Sequence, residues 1–107
     1  MITMFNLDGR VAIVTGGNGG IGLGMAEGLA QAGAKIVVVG RNSEKNAAAV
    51  SRLEKLGVEV FSIEKDLTVA TAGEEVASAT EERFGQIDIL INCLLYTSDA
   101  ADDDACV

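Results

Sequence analysis

Thr15-Gly16-Gly17-Asn18-Gly19-Gly20-Ile21-Gly22 is the stretch whose residue types and spacing could do chemistry. That chemistry is anion binding. Glycines let the backbone turn tightly and come close to a ligand with no Cβ in the way. A helix that starts directly after them presents free N–H groups and the positive end of its dipole to whatever sits in the turn. Acid–base and metal chemistry have far less to work with. The sequence contains no histidine, and Cys93 and Cys106 have neither metal-ligand spacing nor the makings of a disulfide framework.

The elements needed to position such a turn are readable on both sides of it. Arg10-Val11-Ala12-Ile13-Val14 is a short run rich in β-branched residues and is predicted to lead a first strand to Thr15. A helix is predicted from Gly20 to Gln31, with Ile21, Met25 and Leu29 as its apolar face and Gly33 as its stop. Gly24 and Gly28 weaken that helix by propensity, and close helix–strand packing is the expected reason they are tolerated. Lys35-Ile36-Val37-Val38-Val39 reads as a parallel strand buried on both faces.

A second helix is expected from a Ser43 cap to about Leu56, with Val50, Leu53 and Leu56 on one face. A third strand is expected over Val58–Ile63, a third helix over Val69–Phe84, and a fourth strand over Ile87–Ile91 ending at Asn92. The order β-α-β-α-β-α-β predicts an α/β fold, a Rossmann-type parallel sheet with helices on both faces, of which this is the first half.

A strand, a glycine turn and a helix in that order suit the pyrophosphate of a dinucleotide. A P-loop would close with Gly-Lys-Ser/Thr, and no lysine lies between Arg10 and Lys35. A methyltransferase-type loop would follow an acidic residue, and Thr15 stands there instead. Dinucleotide folds read the adenosine ribose just past the second strand, where an acid bonds the 2′-hydroxyl or an arginine accommodates a 2′-phosphate. Gly40 holds the acid position, Arg41 follows, and Val37 to Asn42 contains no Asp or Glu. A 2′-phosphate would find a guanidinium fork here, which favours NADP(H) and leaves NAD(H) possible. The competing reading makes Arg41 a solvated loop charge.

Thr-Gly-x-x-x-Gly-Ile-Gly, with Gly16, Gly20 and Gly22 as its spaced glycines, resembles the turn of the short-chain dehydrogenase/reductase family, which has this wider first gap. The resemblance spans residues 5–92. It implies cofactor contacts at Gly16, Asn18, Gly20, Ile21 and Gly22, at Arg41 and Asn42, and at Asp66 and Leu67, where the family has an Asp holding the adenine end. Asp66 or Thr68 would also start the next helix well as an N-cap, and both readings can hold together. Asn92 is similar to the first Asn of the family's Asn-Asn-Ala-Gly segment.

The resemblance implies an oxidoreductase moving hydride between NADP(H) and a carbonyl or alcohol carbon, a homo-oligomer at full length; the lack of a readable secretory signal favours the cytoplasm. Residues 5–92 are similar in flavour to sugar-acid dehydrogenases and 3-oxoacyl-carrier-protein reductases. Two other classes stay open: a nucleotide-binding module without catalysis, and an interaction protein that reuses the fold.

After Asn92 the family would continue Asn-Ala-Gly and later supply a Ser and a Tyr-x-x-x-Lys. This sequence continues Cys93-Leu94-Leu95-Tyr96-Thr97-Ser98, and Tyr96 is followed four residues on by Ala100. Tyr96 and Ser98 are therefore not read as catalytic, and no catalytic or metal residue is assigned. Residues 93–103 look like an in-frame translation of a transposase-library sequencing adapter. The expectation is a partial NAD(P)-binding domain over 1–92 and a non-native, functionless tail over 93–107.

Composition bounds the partners. The chain has 107 residues and a formal net charge of −8. Residues 1–92 hold all 8 bases and 12 of the acids, while the last 15 residues add Asp99, Asp102, Asp103 and Asp104 with no base. That balance argues against nucleic acid and acidic membrane surfaces as partners. No apolar run reaches the roughly 18 residues of a membrane span, and Met1 to Phe5 does not read as a secretory signal.

Overall fold

A computed structural model describes residues 6–95 and 104–106, with side chains described for 6–93. The elements run β1 Val11–Thr15, α1 Gly20–Gln31, β2 Lys35–Gly40, α2 Ser43–Glu54, β3 Val60–Glu64, α3 Ala72–Phe84, β4 Ile89–Leu95 and β5 Asp104–Cys106. They form one sheet in the order β3-β2-β1-β4-β5. The first four strands are mutually parallel, with Ile13 opposite both Val37 and Leu90, and Val37 opposite Phe61. Successive crossovers leave β1 on opposite sides, toward β2 and toward β4. This is the topological switch point at which open α/β sheets bind ligands outside their carboxyl ends.

The β-branched runs are buried on both faces because helices cover both. Ala12, Val14, Ile36 and Val38 point to one face and pack with Ala26 and Ala30 of α1 and Ala49 and Leu53 of α2. Val11, Ile13, Val37 and Val39 point to the other and pack with Val76 of α3. Phe84 of α3 packs against Phe61 of β3 with the rings tilted 58° and their centroids 5.3 Å apart. Asp88 fastens the start of β1 to β4: its carboxylate accepts the Val11 N–H at 2.9 Å, and its own N–H donates to the Val11 carbonyl at 2.9 Å.

Several expectations need correction. The fully buried stripe of α1 is Gly22, Ala26 and Ala30; of the expected face, Leu29 packs partly buried against the core, while Ile21 is 50% exposed and Met25 38%. A helix lying close on a sheet needs small residues at the contact, and bulk is pushed to the flanks. Gly24 and Gly28 face open space, so close packing does not account for them. The tight glycine is Gly22, where a Cβ would overlap the Gly16 carbonyl oxygen.

Further along, α2 is capped by Asn42, whose side chain accepts the Lys45 N–H at 3.0 Å, and not by Ser43. The buried face of α2 is Asn46, Ala49 and Leu53, with Leu56 beyond its end and 36% exposed. α3 begins at Ala72 after Thr71; residues 66–71 form turns before it. It buries Ala72, Val76 and Thr80, and Gly85 ends it at φ +81°, the left-handed cap that glycine favours.

β4 does not stop at Asn92 but runs on to Leu95, and β5 pairs with it antiparallel, Leu94 opposite Ala105. Cys93 is disulfide-bonded, which corrects the reading of the cysteines. Tyr96 and Ser98 lie outside the described residues, as do Met1 to Phe5. Among the described residues, no helix is long and apolar enough to cross a membrane.

Candidate nucleotide-binding site

The turn after β1 is built as its glycines require. Gly16 sits at φ +69° and Gly20 at φ +56°, in the left-handed region that disfavours side chains. The Gly16 N–H donates to the Val39 carbonyl at 2.8 Å, which ties the turn to the end of β2. A Cβ on Gly16 would stand 3.1 Å from the Cys93 carbonyl oxygen, so the turn also lies against β4. α1 then starts from Gly19 with no side-chain cap and no acidic residue in its first turn. The first N–H groups of a helix have no intrahelical partner. Among the described residues no side chain caps this end and no acid lies in its first turn, which leaves a backbone cradle suited to an anion.

Thr15, at the end of β1, is 6% exposed and joins the cradle to β4. Its hydroxyl donates to the Asn92 carboxamide oxygen at 2.7 Å and accepts the Cys93 N–H at 3.1 Å. Asn92 is thus held at the sheet's carboxyl edge, beside the cradle.

Asn18, at the tip of the turn, reaches the other side. Its Nδ2 donates to Oδ1 of Asn46 at 2.9 Å, and Asn46 Nδ2 donates to the Gly40 carbonyl at 3.0 Å. Asn46 is 1% exposed. Sequence reasoning missed it, because a polar residue in the first turn of a helix looks like a solvated one. The only signal was its place on the face shared with Ala49 and Leu53.

The Gly40 carbonyl also accepts the Lys65 N–H at 3.1 Å, so the ends of β2 and β3 are joined just before Arg41 and Asp66. Arg41 is exposed and makes no ion pair among the described residues. Asp66 is fixed locally, accepting the Thr68 hydroxyl at 2.6 Å and the Thr68 N–H at 2.9 Å. These two bonds hold its carboxyl below the usual Asp range, with a smaller contribution from the positive charge of Arg41. Asp66 therefore caps a turn of its own and does not cap α3, whose N-cap is Thr71.

The expected residues thus fall into two groups at one edge of the sheet. Gly16, Asn18, Gly20, Ile21 and Gly22 form the cradle and its rim. Arg41 and Asp66 stand together beyond β2 and β3, linked to the cradle through Asn18, Asn46 and Gly40. The carboxamide oxygen of Asn42 is occupied by capping α2. Leu67 is 41% exposed and lines a largely apolar cavity of about 430 Å³ between β1, β4 and α3, together with Thr15, Leu90 and Asn92. That cavity lies beside the cradle, and of the expected residues Leu67 and Asn92 reach it.

Known proteins share this sequence pattern and this fold. A family model described as short chain dehydrogenase matches residues 10–102. Gluconate 5-dehydrogenase of Gluconobacter oxydans is 43% identical over 89 residues, covering 83% of this chain and 35% of that protein. Among solved structures, L-sorbose reductase of Gluconobacter frateurii, complexed with NADPH and L-sorbose, superposes with a TM-score of 0.78 at 37% identity, over 82% of this chain and 34% of its own. A short-chain dehydrogenase/reductase of Burkholderia phymatum in complex with NAD gives a TM-score of 0.75 at 33% identity, over 81% of this chain and 31% of its own. The chain spans about a third of the length of the curated relatives it matches.

Proposed function

The chain belongs to the short-chain dehydrogenase family, and from that premise we propose that it is the cofactor-binding part of an oxidoreductase transferring hydride between NADP(H) and a carbonyl or alcohol carbon. The bound nicotinamide would supply the hydride chemistry. This chain's residues bind and orient. The cradle of Gly16, Gly20 and Gly22 holds the pyrophosphate against the start of α1. Arg41 reads the ribose, and Asp66 and Leu67 flank the adenine end. Neither a Tyr-x-x-x-Lys nor a histidine occurs in the sequence, so the chain alone is inactive in this reading.

The observation that carries the proposal is the uncapped, acid-free start of α1 behind two left-handed glycines, with Arg41 free of ion pairs among the described residues and linked to the cradle through the asparagines. Solved relatives have been crystallised with NADPH and with NAD, so the choice of cofactor rests on Arg41. Titrating the chain with NADPH and with NADH tests it. Tighter binding of NADPH supports the proposal; no binding of either ends it.

The same reading takes a small carbonyl or alcohol compound as substrate, sugar acids or sugars being the class in the names of several relatives. It places the full-length protein in the cytoplasm as a homo-oligomer. It also takes residues 1–92 as the native portion and 93–107 as foreign. Sequencing source DNA across the Asn92 codon tests that last point, and clean genomic codons for Cys93 onward would refute it.

A further inference from the structure

We propose that the Asn18–Asn46 pair determines specificity at the ribose end of the cofactor: it fills the space beside Gly40, keeps a carboxylate off that position, and leaves Arg41 to read the ribose 2′-substituent. This rests on the nucleotide-binding reading above and adds to it residues that the glycine motif and Arg41 do not account for.

Gly40 ends β2, where dinucleotide folds place the acid that bonds a 2′-hydroxyl. Its φ is not in the left-handed region, so its backbone would accept any residue. Space is what excludes one. A Cβ there would overlap Asn18 Nδ2 and stand 2.7 Å from Asn46 Oδ1. An isolated asparagine could swing aside at little cost. Asn18 is not isolated, since Asn46 accepts its Nδ2–H, and Asn46 is buried with its own amide spent on the Gly40 carbonyl. A side chain at position 40 must break this chain and strand buried polar groups, which is expensive. The same bonds hold the Gly40 carbonyl, with help from the Lys65 N–H, and so set where Arg41 leaves the sheet.

Two measurements on the full chain test the proposal. The first uses no nucleotide. Gly40→Ala is expected to lower the melting temperature by about 5 °C or more in the wild-type background. In an Asn18→Ala/Asn46→Ala background the same change is expected to cost less than about 2 °C. Equal losses in both backgrounds overturn the proposal. Should Gly40→Ala fail to fold, recovery of folding in the triple variant supports it and no recovery overturns it.

The second compares dissociation constants for 2′,5′-ADP and 5′-ADP. Gly40→Asp alone is expected to weaken both. With Asn18→Ala/Asn46→Ala added, the ratio is expected to move toward 5′-ADP by about tenfold or more. A single Gly40→Asp variant that makes this move without loss of stability overturns the proposal, as does an unchanged ratio in the triple variant. A wild-type chain that binds neither probe overturns the nucleotide-binding reading itself and is distinguished from those results by that absence.

Discussion

The Thr15 hydroxyl donates to the Asn92 carboxamide oxygen at 2.7 Å, across 77 residues of sequence. It accepts the Cys93 N–H at the same time. One nearly buried side chain therefore closes the seam between the central strand and β4, at the end of the sheet where the glycine turn begins. Thr15→Val keeps the shape and removes both bonds, leaving the Cys93 N–H without that acceptor. The expected loss is about 1–3 kcal/mol of unfolding free energy. Urea denaturation measures it, and a change below about 0.5 kcal/mol would mean the seam is held by apolar packing alone.

Two glycines two residues apart in α1 should respond in opposite directions. Gly24→Ala adds a methyl group to open space inside a helix and is expected to stabilise by about 0.5–1 kcal/mol. Gly22→Ala drives a Cβ into the Gly16 carbonyl and must part the helix from the turn, at an expected cost of about 1–3 kcal/mol. Nucleotide affinity should fall with it, because the same carbonyl belongs to the cradle. Melting curves of the two variants check the pair, and similar responses from both would place the tight contact elsewhere.

The contrast also explains what the sequence could and could not tell. Two-sided burial was legible, because Ile36-Val37-Val38-Val39 has no polar alternation and can only be covered on both faces. The glycine turn was legible because its spacing has one good physical use. The buried face of α1 was not. A hydrophobic pattern weighs Ile21 and Met25 above Gly22 and Ala26, while close packing selects the small ones.

The cap of α2 was a choice between adjacent capping residues, Asn42 and Ser43, that propensity does not separate. Asn46 was hidden for a related reason. Its role depends on Asn18, 28 residues earlier, and no local pattern announces that bond. β5 is not legible in the sequence, because Asp104–Cys106 is three residues long and carries no pattern that announces its antiparallel pairing with β4.

Acid should loosen the fold through Asp88. The Val11 N–H first, then the Gln86 carboxamide and Arg10, hold its carboxyl below its ordinary value of 3.8. A group with a depressed folded pKa stabilises the fold above its unfolded value and loses that contribution as pH falls through the folded one. Asp88→Asn should therefore be less stable than wild type near neutrality, with the gap closing as pH is lowered below about 4. Urea midpoints from pH 7 to pH 2 give the two curves. Parallel curves would show that Asp88 acts through shape and not charge.

The proposed NADP(H) preference turns on Arg41, in the place that the Asn18–Asn46 pair leaves to it. It stands exposed just past Gly40, in a stretch that contains no acid, and near enough to Asp66 for its charge to be felt there. A guanidinium on a 2′-phosphate makes charge-assisted bonds worth about 1.5–3 kcal/mol, or roughly 10- to 150-fold in affinity. Arg41→Asp removes those bonds and sets a carboxylate against the phosphate, so NADPH binding should weaken by at least about tenfold. NADH carries no 2′-phosphate to repel, and its affinity should hold or rise as the new carboxylate accepts from the 2′-hydroxyl. Paired titrations of the wild type and the variant with both nucleotides read this as a ratio. A ratio that does not move would return Arg41 to the role of a solvated loop charge, and the 2′-phosphate would need another donor.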